Sequence, residues 1–163
     1  MPKPPRFHTK RRRSRLREMR WIAIAAVLVG ASFLYRDRLN PPEPVSEVTL
    51  SFGLCGDNWA ACVIDGDTVA IGQRRVRLTG YDAPEMDGAC EAERVKAREA
   101  RTALHTWLAE GRFTWTGGTE PPRDQYGREL REASRGGEAL ADHMIGAGLA
   151  EGSGWGAEKK MWC

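Results

Sequence analysis

Apolar and polar positions alternate weakly along Val48-Thr49-Leu50-Ser51-Phe52. The same two-residue period continues through Cys62-Val63-Ile64, Thr68-Val69-Ala70-Ile71 and Arg75-Val76-Arg77-Leu78. A period of two puts alternate side chains on one face of a sheet, so these runs predict strands. Asp65-Gly66 reads as a hairpin-turn dipeptide, and Gly72-Gln73 as a second turn, which together make a β-meander. Asp82-Ala83-Pro84-Glu85 breaks the alternation. The period then lengthens. Between Glu91 and Glu110 it predicts a helix with Ala97, Ala100, Leu104, Trp107 and Leu108 on one face, ended by Gly111. Arg112 to Thr116 is a further strand, followed by a Gly/Pro loop over 117–122. Arg128 to Ala133 is the last strand, and Gly136-Gly137 turns into a second helix over Glu138 to Ala147 carrying Leu140, Met144 and Ile145. The tail from Gly152 to Cys163 is rich in Gly and Trp and has no period. These elements predict a small α+β domain. Closing five short strands into a barrel is the usual way to manage edges this short.

One apolar run stands apart. Trp21 to Tyr35 is uncharged, with Arg11, Arg12, Arg13, Arg15, Arg17 and Arg20 before it and Arg36 and Arg38 after it. It is shorter than the ~20 residues of a comfortable bilayer span, and it also has the length of a signal-peptide core. Residues 1–20 read as a basic cytoplasmic N-terminus, 21–35 as a transmembrane anchor or signal sequence, 36–45 as a linker stiffened by Pro41, Pro42 and Pro44, and 46–163 as the domain. Trp21 and Tyr35 suit interfacial anchoring, and Val29-Gly30-Ala31 suits cleavage. The chain is therefore expected to be exported, to a bacterial periplasm or cell surface. It would be held at the inner membrane if the leader is retained, or secreted if the leader is cleaved.

Charge sharpens the division. Residues 1–40 hold eleven Lys/Arg and two acids, a net of +9, whereas 41–163 hold fourteen Lys/Arg and twenty acids, a net of −6. A net-acidic domain is a poor non-specific binder of nucleic acid, so any phosphate it holds must be held by a few placed cations. Export also makes the cysteines readable. Cys55, Cys62, Cys90 and Cys163 allow three pairings. Cys55–Cys62, closing a short loop, with Cys90–Cys163 tying down the last residue, is the preferred one. There is no Cys-x-x-Cys pair and there are only three histidines, which argues against zinc. His8 lies in the leader, and His105 and His143 fall in predicted helices as surface or packing residues. Trp155 and Trp162 read as packing residues rather than base-stacking platforms.

The chemistry lies in three blocks: Asp65-Gly66-Asp67-Thr68, then Arg77-Leu78-Thr79-Gly80-Tyr81-Asp82-Ala83-Pro84-Glu85, then Asp124-Gln125-Tyr126-Gly127-Arg128. Carboxylates can hold a hard cation and activate a water, and arginine forks can hold phosphate oxygens. In this order and spacing the blocks, over roughly residues 46–150, resemble the staphylococcal nuclease-like (thermonuclease) family. The resemblance implies a five-stranded OB-fold barrel with about three helices. It also implies a calcium-dependent nuclease, with another hard divalent cation able to use the same oxygens. The expected activity is hydrolysis of DNA and RNA phosphodiesters with little sequence preference, leaving 3′-phosphates. By the same resemblance Asp67, Asp82 and the backbone carbonyl of Ala83 are metal ligands, Ala83 standing where the family usually has Thr. Glu85 is the general base, and Arg77 and Arg128 hold the phosphate. Asp65 and Tyr126 lie just outside, Asp65 as an acidic neighbour of the metal and Tyr126 shaping the substrate pocket. The expected partners are DNA and RNA as substrate and the membrane through residues 21–35, with the protein a monomer. The alternative is a catalytically inactive OB-fold module of the cell envelope that binds nucleic acid or protein; a barrel acting only as an envelope spacer is a third.

Overall fold

A computed structural model describes residues 11–39, 43–57, 59–154 and 162–163. Pro41 and Pro42 of the linker, His8 and Trp155 lie outside the described residues. The chain divides into two units, Met1–Pro42 and Glu43–Cys163.

In the first unit a helix, α1, runs over Arg11–Leu39. Among the described residues no helix is long and apolar enough to cross a membrane. The uncharged run over 21–35 lies within this helix, bracketed by arginines on both sides.

The second unit is α+β. Its strands are β1 (Ser46–Val48), β2 (Gly53–Leu54), β3 (Ala61–Val63), β4 (Thr68–Ile71), β5 (Arg74–Leu78), β6 (Tyr81–Asp82), β7 (Phe113–Trp115), β8 (Glu129–Arg131), β9 (Ala133–Arg135), β10 (Glu138–Ala139) and β11 (Glu151–Gly152). Its helices are α2 (Glu91–Ala109) and α3 (Leu140–Gly146). One sheet has the order β2-β3-β4-β5-β8, a second the order β1-β7-β9-β10, and β11 pairs with β6 alone. The chain passes from the first sheet to the second at Glu132, between β8 and β9. The ladders do not close into a ring among the described residues, which corrects the expectation of a closed five-stranded barrel.

The meander forms as the alternation requires. Val63, Val69 and Val76 face inward and are buried, while Arg75 and Arg77 alternate outward on β5. The expected helical face is also met, since Ala97, Ala100, Leu104, Trp107 and Leu108 are the buried residues of α2. That face closes the core over Phe52, Leu78, Tyr81, Leu140 and Met144. Phe113 lies at its aromatic centre, with ring centroids 5.4 Å from Trp107 and 5.9 Å from Trp115. Glu91 and Glu93 occupy the first turn of α2, where carboxylates favour the positive end of the helix dipole. Both preferred disulfides are present, Cys55–Cys62 and Cys90–Cys163. The second fastens the last residue to the N-cap of α2.

Four local expectations are corrected. The first strand is Ser46–Val48 rather than 48–52, because Phe52 drops into the core beyond it. The single last strand is split at Glu132, where the chain changes sheets. The second helix starts at Leu140, because Gly136-Gly137 first turns β9 back into β10. Asp65-Gly66 is not a two-residue hairpin turn, since Gly66 has no positive φ and the β3–β4 loop is wider. That loop is closed by Ile64 N–H donating to Thr68 O at 2.9 Å.

Candidate active site

Three elements bring the predicted residues together. The β3–β4 loop carries Asp65 and Asp67, β5 carries Arg77, and the β6 end carries Asp82 and Ala83 before the turn to Glu85. The loop comes close to α2 because Gly66 lacks a side chain. A Cβ there would stand 2.6 Å from Ala83 Cβ and 2.8 Å from Ala100 Cβ. The Tyr81 hydroxyl donates to Gly66 O at 3.1 Å and pins the loop from beneath.

Asp67 is the hub. Its Oδ1 accepts from Arg77 Nη1 at 2.9 Å and from Thr68 Oγ1 at 2.9 Å, and its Oδ2 accepts from the Ala83 backbone N–H at 3.2 Å. Asp65 Oδ1 accepts from the Asp67 backbone N–H at 3.0 Å. The other arm of the Arg77 fork donates to Asp82 Oδ1, so one guanidinium bridges both candidate ligands. Asp67 is only 4% exposed. Burial pushes its carboxyl up to about 6; Arg77 opposes that shift and the charge of Asp65 adds to it. Burial likewise raises the Tyr81 hydroxyl, with Asp67 and Asp65 adding to the effect.

Glu85 is raised from its ordinary value by burial and by Asp65, with Asp87 contributing, and Arg77 and Arg128 both pull it down. Both arginines therefore act on the carboxyl expected to be the base. Arg128 is placed by a turn that Asp124 organises. Asp124 Oδ1 accepts the backbone N–H groups of Tyr126 and Arg128, each at 2.9 Å, and its Oδ2 accepts Arg128 Nε at 2.6 Å. Gly127 supplies the positive φ of 79° that this tight return needs. Burial raises the Asp124 carboxyl, but its bonds to Arg128 more than offset this and the net shift is downward. The exposed ring of Tyr126 lies under the Arg128 guanidinium, 5.5 Å from its centroid.

Two contributors were not among the predicted site residues. Asp124 holds Arg128, and its signal was visible as the first residue of the third block. Gly66 sets the loop against α2, and nothing local in the sequence distinguishes a glycine needed for close approach from one needed for a turn. His105 borders a groove of 460 Å³ that also holds Leu50 and Trp59. His143 borders another, of 620 Å³, along α2. Neither groove is lined by any of the predicted acids or arginines.

Among the described residues no group of three or more Asp, Glu, His or Cys side chains is arranged to hold a metal ion. The chemistry of the donor set still suits a hard cation. Asp65, Asp67 and Asp82 offer oxygen only.

No protein-family model matches the chain. A stretch of 75 residues is 40% identical to the succinoglycan biosynthesis protein ExoI of Rhizobium meliloti (strain 1021). That match spans 42% of this chain and 37% of the length of ExoI.

Proposed function

We propose that this protein is an exported, metal-dependent nuclease that hydrolyses phosphodiester bonds of DNA and RNA. The observation that carries the reading is the Arg77 fork that joins Asp67 and Asp82, the two candidate ligand carboxylates, with Asp82 three residues before Glu85. In-line attack on a phosphodiester needs a proton acceptor and positive charge on the phosphoryl oxygens, which Glu85 and the two arginines can supply. Glu85, raised by burial, takes the proton of the attacking water. The water oxygen bonds to phosphorus, the bond to the 5′ oxygen breaks as that oxygen takes a proton from solvent, and a 3′-phosphate and a 5′-hydroxyl remain. Arg77 and Arg128 hold the phosphoryl oxygens as charge builds on them. A hard divalent cation, calcium by resemblance, would be held by Asp67, Asp82 and the Ala83 carbonyl and would supply Lewis-acid charge to the phosphate. The two sheets joined at Glu132 are, in this reading, an OB-type barrel opened at its seam. The disulfides support export, since such bonds persist in oxidising compartments. Membrane anchorage through residues 21–35, the alternative of secretion, and a monomeric state belong to the same proposal.

One observation favours a second reading. Arg77 is engaged through both Nη atoms by the two carboxylates expected to bind metal, and a permanently closed triad would leave an inactive binding module. The test is cleavage of single-stranded DNA by the full-length oxidised chain, with calcium and with chelator, beside Glu85→Gln. Cleavage that needs the cation and falls ~10²-fold or more in the variant is expected for a general base. Binding without cleavage under any hard divalent cation would leave the module.

A further inference from the structure

Four arginines around the candidate site have carboxylate partners. Arg74 and Arg123 reach Glu129, Arg77 reaches Asp67 and Asp82, and Arg128 reaches Asp124. Arg75 differs. It is exposed, and its side chain makes no hydrogen bond or ion pair among the described residues.

Its place on β5 gives that free charge a direction. β4 and β5 pair Thr68 with Arg77 and Ala70 with Arg75, so both arginines project from the outward face of the sheet. Val69 and Val76 between them are buried on the inward face. The parallel pairing of β5 with β8 sets Val76 beside Glu129 and Arg77 beside Leu130. Arg75 precedes the first paired position of β5 in that ladder, and Arg128 immediately precedes β8. Residues two apart on a strand are ~6.8 Å apart, an interval comparable to that between successive phosphates of an extended single strand. Next to Arg75 the surface is low, formed by Ala70 and then by Cys62 of the Cys55–Cys62 bridge.

We propose that Arg75 binds the phosphate neighbouring the scissile one, so that a single-stranded nucleic acid runs along β5 from Arg77 toward Arg75. The inference rests on the nuclease reading for its ligand. The net charge of −6 over residues 41–163 makes such a contact matter, because the domain offers no general basic field to hold a polyanion.

The experiment measures binding rather than cleavage. Fluorescence anisotropy of a labelled thymidine hexanucleotide is followed across a salt series with the full-length oxidised chain, Arg75→Gln, Arg75→Lys, and Arg112→Gln as a control. Arg112 is exposed and pairs with Glu47 away from the acids. Arg75→Gln is expected to weaken binding about tenfold at low salt and to reduce the slope of log K against log salt by about 0.7, one phosphate's worth for a single strand. Arg75→Lys should retain the slope, and Arg112→Gln should change neither quantity. An unchanged slope in Arg75→Gln overturns the assignment even if the wild-type chain cleaves DNA. A chain that cleaves nothing but shows the Arg75 effect refutes the nuclease reading and leaves the phosphate contact standing. Absence of any hexanucleotide binding, or binding of dextran sulfate in its place, overturns the nucleic-acid assignment.

Discussion

Replacing Glu129 with Gln should destabilise the domain more than any other single charge removal near the site. Glu129 is buried where β8 docks on β5, with its side chain 2% exposed. It accepts Arg74 through Nε and Nη2, each at 2.7 Å, Arg131 through Nε at 3.1 Å and Nη2 at 3.0 Å, and Arg123 at 3.3 Å. These arginines do not lose equally. Arg74 and Arg123 are 48% and 53% exposed and can turn to water. Arg131 is 3% exposed, lies 4.5 Å from the centroid of the Trp115 ring, and cannot. Its bonds to Thr116 O at 2.8 Å and Gly118 O at 3.1 Å survive the substitution but do not cancel its charge. Breaking a buried pair costs about 3–5 kcal/mol, and those surviving acceptors put this case near the lower end. Against a total of ~5–15 kcal/mol, that is a loss visible in any melt, a fall of about 10 °C or more. The pH dependence gives an independent check. Bonds from Arg74 pull the Glu129 carboxyl down from 4.5 to about 2 against its burial, and Arg131 adds to the pull. A carboxyl lowered in the folded state contributes its full stabilisation above 4.5 and loses it as pH falls toward 2. Urea unfolding followed by circular dichroism at pH 7 and pH 3 reads both effects without adding salt. The wild type should lose more stability than Glu129→Gln between those two values. Replacing the pair together, Glu129→Leu with Arg131→Met, should recover most of the loss, because no buried charge then remains. A Glu129→Gln chain within ~1 kcal/mol of wild type, or one with the same acid dependence, would refute the reasoning.

Two further outcomes follow from the same geometry. Asp67 has a folded-state carboxyl raised from 3.8 to about 6, so its contribution is fully present below 3.8 and is lost as pH rises through about 6. Without divalent cations, Asp67→Asn should therefore melt no lower than wild type at pH 7.5. Calcium should raise the melting temperature of the wild type and not of the variant; a calcium response retained in Asp67→Asn would remove Asp67 from the ligand set. Cys90 and Cys163 are 73 residues apart in sequence, and Cys55 and Cys62 are 7 apart. Loop-closure entropy gives about 4 and about 2 kcal/mol for the two bridges. Cys90→Ser with Cys163→Ser should thus cost clearly more in urea unfolding than Cys55→Ser with Cys62→Ser, and the reverse order would sink the entropic argument.

The sequence was most legible where one local period determined one face. The burial of Ala97, Ala100, Leu104, Trp107 and Leu108 follows from helical spacing alone, and that of Val69 and Val76 from strand alternation. It was least legible where a distant element decides. Nothing near Glu132 announces that the chain will change sheets there, and the pairing of Tyr81-Asp82 with Glu151-Gly152 joins residues about seventy positions apart. The arginines show the same contrast. Arg77 and Arg128 were visible as motif residues, yet what distinguishes them is their partners. Arg77 is neutralised by acids from the β3–β4 loop and β6, and Arg128 by an acid in its own turn. Arg75 belongs to no motif and has no such partner among the described residues, and the register of β4 against β5 puts it on the same face as Arg77. A motif identifies side chains that can do chemistry. Pairing across the sheet determines where a ligand must compete with the fold's own acids, as at Arg77 and Arg128, and where, as at Arg75, it meets none among the described residues.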